Sequence, residues 1–226
     1  MLKEYKGELL FLVIVMAVYL FMATLNLSHN YSYFAVVFGI FGLIVTWKIY
    51  EKVDEQPDGN EKMREIAESI HDGAMVFLSR EYKTLGYFVA GVFILLMIVI
   101  SSQKGFWIGL WTSVSYVVGA SCSMLAGYFG MNSATSANVR TAQAAFDGGK
   151  PKALNIAFNG GAVMGLSIAS LGLVGVGGLF LLFGKSESIS VITGFAMGAS
   201  SMALFARLGG GIYTKIADVG SDNVGK

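Results

Sequence analysis

Six stretches of the chain, residues 9–25, 31–47, 84–102, 106–131, 154–183 and 189–206, are apolar for 17 to 30 residues at a time. The hydrocarbon core of a bilayer is ~30 Å thick, and an α-helix rising ~1.5 Å per residue crosses it in about 20 residues. Each run is therefore at or near spanning length. Inside lipid the backbone must satisfy its own N–H and C=O groups, so a spanning chain folds as helices or as a closed barrel. Long unbroken runs without strict alternation select helices. The expected fold is all-α, a polytopic transmembrane helix bundle of about six spans. With 54% hydrophobic and only 14% charged residues, the chain is too apolar for an ordinary soluble domain.

The connections set the orientation. With the N-terminus inside, 14 of the 16 lysines and arginines fall on the inner side, and only Lys104 and Lys185 fall outside. Positive residues favour the cytoplasmic side, so both termini are expected there. The first run follows Lys3 and Lys6 but exceeds a signal-peptide core and lacks a small-x-small cleavage site, so it reads as a retained helix. A net charge of +1 gives no bulk attraction for nucleic acid, and none is expected as a partner. Cys122 is the only cysteine, which excludes an intramolecular disulfide.

Residues 1–50 read as two N-terminal spans, the first an extra helix, and 51–83 as a cytoplasmic loop with an amphipathic helix. Residues 84–226 read as four further spans with cytoplasmic extensions. Pro57-Asp58-Gly59 marks a turn, and Met63, Ile66, Ala67 and Ile70 then recur at helical spacing, predicting an interfacial helix that leads into a span. His71 on that helix is expected to be solvated. Phe146 to Pro151 marks a second turn. The run at 106–131 is rich in Gly and Ser and is expected inside the bundle. Gly161 with Gly165, and Gly194 with Gly198, form GxxxG pairs suited to close helix packing.

The last 20 residues, RLGGGIYTKIADVGSDNVGK, hold the chemistry. If the helix entered at 189 continues at about 100° per residue, then Asp218, Asp222, Lys215 and Lys226 fall near 20°, 60°, 80° and 100° from Arg207. One face thus carries a cation deep in the membrane and two carboxylates, one turn apart, near the aqueous rim. Such carboxylates suit a hard divalent cation such as Mg²⁺, and a lysine beside them suits phosphate. The plainer reading of each charge is a solvated residue at the exit of a span.

The string GGGIYTKIADVGSDNVGK also resembles the hallmark of the membrane-bound, vacuolar-type pyrophosphatases, ion pumps driven by pyrophosphate hydrolysis. That signature is an aspartate, seven residues, a lysine, one residue and a glutamate, and Asp218 and Lys226 have its spacing. The sequence stops at Lys226, before the glutamate, and Ser221 and Asn223 stand where alanine and leucine are more usual. GAMVFLSREYK, NVRTAQAA and ALNIAFNGGAVMGLS extend the resemblance from about Gly59 to Lys226.

The resemblance implies the N-terminal portion of a homodimeric, many-helix pump that couples Mg-pyrophosphate hydrolysis to H⁺ or Na⁺ export, with room for a K⁺ requirement. In a prokaryote its place is the plasma (inner) membrane. Carried over by position, Lys215 and Lys226 contact pyrophosphate, Asp218 and Asp222 bind Mg²⁺, and Arg207 belongs to the ion-transport path. The family's water-orienting aspartates lie on later helices, so no catalytic residue is expected within this chain, and the chain alone is expected to be inactive. Two rival readings stand beside this one: a catalytically inactive truncated or accessory membrane protein, and a non-hydrolytic transporter.

Overall fold

The computed structural model describes Met16 and residues 31–183 and 188–225. The expected first span at 9–25 lies, Met16 apart, outside the described residues. The rest is helical: α1 (Tyr31–Asp54), α2 (Glu61–Lys104), α3 (Phe106–Phe183) and α4 (Ser188–Val224). All four are long and apolar enough to cross a membrane. They carry five of the six apolar runs, because α3 holds two. It breaks at Gly149, whose φ of 73° and ψ of −177° are non-helical, and Pro151 opens the helix that follows. A positive φ is cheap for glycine, and the missing N–H of proline costs least in a first helical turn. The halves of α3 then run back along one another, with Ser133 Oγ donating to the Gly160 carbonyl at 3.1 Å.

The polar connection before α2 behaves as its sequence predicts at one end only. Gly59 takes φ 85°, and the Asn60 side chain caps α2 by accepting from the Met63 N–H at 2.9 Å. The amphipathic segment and the span beyond it, however, are one rod of 44 residues, about 66 Å long by helical rise. No proline interrupts residues 61–104, so nothing in the sequence turns the segment along the membrane surface. Gly105 (φ 94°) ends the rod, its N–H bonding the Ser101 carbonyl at 3.1 Å.

Helix packing runs on small residues, as expected where lipid supplies no hydrophobic drive between helices. Along α3 and α4, which run parallel, a β-carbon on Gly194 or Gly198 would strike the backbone carbonyl of Thr112 or Tyr116, and one on Gly119 would strike that of Phe195. Antiparallel α1 and α3 meet where Gly39 and Gly42 face Ser170 and Gly177 faces Ser32 and Ala35. The 106–131 run is internal as predicted, with Ser113, Ser115, Tyr116, Gly119, Ala120 and Ala126 buried. Of the two GxxxG pairs, Gly161 and Gly165 meet nothing among the described residues, and it is Gly160 that closes on Ala137. Outward-facing residues such as Ile98, 65% exposed, and Ile94, 58% exposed, are lipid-facing in kind.

The helix ends sort into two groups. Lys104 Nζ donates to Ser190 Oγ at 2.7 Å at one end. At the other, Arg140 meets Asp54 at 2.7 Å.

Candidate functional site

α4 is unbroken from Ser188 to Val224, so helical spacing places the charge ladder on a single face. Arg207, Lys215, Asp218 and Asp222 share one face, spanning roughly 22 Å by helical rise. Lys226 lies outside the described residues. The buried side of α4 is marked by Val191, Phe195 and Met202, each at most 3% exposed. By helical periodicity it points roughly 160° away from the ladder. All four described ladder residues are exposed, and no ion pair engages any of them among the described residues.

Ring contacts with α2 fix the rotation that presents this face. Tyr213 packs on Phe77 with centroids 4.7 Å apart, and Phe205 meets Phe88 edge to face at 4.7 Å. Between these contacts the Glu81 carboxylate lies against the bare backbone of Gly209. Of the expected Gly209-Gly210-Gly211 approach, only Gly209 is in contact; Gly210 and Gly211 face open space. A cavity of about 740 Å³ separates α2, α3 and α4, but α4 lines it with Gly210, Tyr213, Thr214 and Ala217, none of them a ladder residue. Phe77 and Phe88 escaped sequence reasoning because side-chain pairing across more than a hundred residues leaves no local pattern.

The donor set fits Mg²⁺ in kind and leaves it incomplete. Asp218 and Asp222 offer hard carboxylate oxygens one turn apart, whereas no group of three or more His, Cys, Asp or Glu side chains is poised for a metal among the described residues. Mg²⁺ demands near-octahedral oxygen coordination and usually keeps waters and substrate phosphate. Two carboxylates would supply only part of such a shell.

The second motif-bearing stretch does something else. Within NVRTAQAA, the Arg140 side chain is only 14% exposed. Its Nε donates to the carbonyls of Asp54 and Gln56 at 3.1 Å, and its Nη2 to the Asp54 carbonyl at 2.8 Å. Nη1 reaches Ser136, whose Oγ in turn donates to Asp54 Oδ1 at 3.0 Å. Arg140 thus closes the last carbonyl of α1, one that a helix end leaves unpaired, and the Gln56 carbonyl just beyond it. His71, expected in solvent, is half-buried, with Nδ1 2.9 Å from Thr135 Oγ1.

A chain of long apolar helices, tight glycine seams and a one-sided ladder of lysine and aspartate is an integral membrane protein of the polytopic helical class. The family described as inorganic H⁺ pyrophosphatase matches residues 40–226, and the chain belongs to it. It is 49% identical over 198 residues to a putative K⁺-stimulated pyrophosphate-energized sodium pump of Clostridium tetani, covering 88% of this chain and 28% of the relative. A K⁺-insensitive pyrophosphate-energized proton pump of Caldanaerobacter subterraneus is 40% identical over 212 residues, covering 86% of this chain and 30% of its own. The K⁺-stimulated pyrophosphate-energized sodium pump of Thermotoga maritima is 38% identical over 197 residues, covering 78% of this chain and 26% of its own. The chain thus spans under a third of the length of these relatives.

Proposed function

We propose that α4 supplies one wall of a Mg-pyrophosphate site in an ion pump that exports H⁺ or Na⁺, and that the wall faces the cytoplasm. The observation that carries this reading is the ladder itself: four charged residues on one face of an unbroken helix, turned away from the packed side and unengaged by the described residues. Lys215 and Lys226 contact the pyrophosphate, Asp218 and Asp222 hold Mg²⁺, and Arg207, roughly 12 Å deeper than Lys215, belongs to the ion path. Bound Mg²⁺ offsets charge on the phosphate oxygens. The names of the relatives, which include both sodium and proton pumps and both K⁺-stimulated and K⁺-insensitive forms, support the substrate and leave the ion and the K⁺ requirement open. Hydrolysis and transport belong to a chain of the relatives' length, assembled as a homodimer in the plasma membrane. This chain by itself releases no phosphate.

Depth along α4 separates the roles, and the test uses it. In vesicles carrying this sequence within a chain of the relatives' length, phosphate release and ion uptake are measured together for Arg207→Ala. Uptake should fail at least as badly as hydrolysis, because removing a membrane cation leaves its counter-charge unpaired. Normal pumping would remove Arg207 from the path. Single cysteines at Gln143 and Lys104 test sidedness with an impermeant reagent. Lys104→Cys should react from outside and Gln143→Cys should not, and the reverse would invert the site.

A further inference from the structure

We propose that the outward face of α2 is a docking site for one anionic phospholipid, whose phosphate is held between Arg80 and Lys83. What packs on the rest of the helix defines this face. Phe77, Glu81 and Phe88 meet α4, and Tyr82 and Leu85 meet α3, the Tyr82 hydroxyl donating to the Met124 carbonyl at 2.6 Å. By helical period these five fall about 60–200° from Arg80, whereas Lys83, Tyr87, Ile94 and Ile98 fall between 0 and about 60° to its other side. None of these residues belongs to the ladder, so the site and its test are independent of the pyrophosphate reading.

The two cations lack a counter-charge in the chain. Both are exposed, and neither side chain makes an ion pair or a hydrogen bond among the described residues. Glu81 is the only carboxylate between Asp72 and the end of α2, and it is turned onto Gly209. The flanking helices supply none at this level: α3 has no Asp or Glu before Asp147, and α4 none before Asp218. Depth fits the occupant. Lys83 precedes Ser102 by 19 residues, about 29 Å of helical rise, which matches a hydrocarbon core of ~30 Å and sets its ammonium at headgroup level. Tyr87, 73% exposed, stands one turn further in, where aromatic rings settle at membrane interfaces. Beyond it Ile94 and Ile98 offer an apolar wall for an acyl chain, and a β-carbon on Gly91 would meet nothing within 4 Å, so the chain can lie close to the helix there. Residues three apart on a helix hold their Cβ atoms about 5–6 Å apart, so one phosphate can bridge both cations, bidentate to the guanidinium and beside the ammonium as a point charge. Basic clusters at this depth suit anionic headgroups.

The test is native mass spectrometry of the purified full chain in detergent, with phosphatidylglycerol or phosphatidylcholine added. One phosphatidylglycerol should be retained in preference to phosphatidylcholine, and Arg80→Gln with Lys83→Gln should weaken its retention about 30-fold. Both residues are exposed, so the double variant should keep the helicity of the parent. The exchange Arg80→Lys with Lys83→Arg preserves both charges and should preserve the lipid. Lys48→Gln, which removes an exposed cation of α1 at the same end of the bundle, should leave retention unchanged. Equal retention of the two lipids, or phosphatidylglycerol that survives Arg80→Gln/Lys83→Gln, would overturn the proposal. So would an equal loss in Lys48→Gln, which would reduce the site to a diffuse attraction of the whole cationic end.

Discussion

Arg140 and Arg207 are both arginines in stretches that resemble the same family, yet the structure gives them opposite surroundings. Arg140 is nearly enclosed and spends its donors on Asp54, Gln56 and Ser136, so its charge joins α1 to α3. Arg207 and the ladder beyond it are exposed and point away from every packed surface of α4. The lesson is that a motif match does not separate architecture from chemistry; partner satisfaction does. A charge whose hydrogen bonds are complete within the chain is holding the fold. A row of exposed charges on one face of an ordered helix, unengaged by the described residues, holds none of this fold together.

Stability measurements sharpen this contrast, beginning with its largest consequence. Arg140→Ala leaves the last α1 carbonyl uncapped and Asp54 without its partner, which should cost about 2–4 kcal/mol in a reversible unfolding assay in mixed micelles. Gly198→Ala forces a methyl onto the Tyr116 carbonyl and should cost about 1–3 kcal/mol by the same assay. Gly210→Ala meets nothing within 4 Å and should be neutral or stabilise by up to ~1 kcal/mol, since alanine is the better helix former. Smallest of all, Arg207→Ala, Lys215→Ala and Asp218→Asn should each lie within about 0.5 kcal/mol of the parent chain. A large loss at Arg207 would show that it is structural and would collapse the contrast.

The bundle was legible because the bilayer sets helix length, so apolar run length alone located the spans. The ladder was legible for a related reason: nothing between 189 and 222 breaks a helix, and a single period then places Arg207, Lys215, Asp218 and Asp222 together. What escaped was register. Whether Gly160 or the Gly161–Gly165 pair meets the facing helix depends on how the chain reverses at Gly149 and Pro151, and one residue of rotation exchanges the faces. The clamp escaped because Arg140 finds Asp54 86 residues away. The fusion of the amphipathic segment with its span, and the His71 bond to Thr135, likewise depend on neighbours that only the folded chain assembles.

The most direct test of the ladder as a functional wall pairs two readouts on Asp222→Asn. Thermal stability and Mg²⁺-dependent phosphate release are measured on the same vesicles, with this sequence in a chain of the relatives' length. Losing one hard anionic ligand should lower hydrolysis by at least ~100-fold and shift its Mg²⁺ dependence, while stability stays within about 0.5 kcal/mol of the parent. Normal hydrolysis with an unchanged Mg²⁺ response would contradict the account, as would a loss of activity matched by a loss of fold.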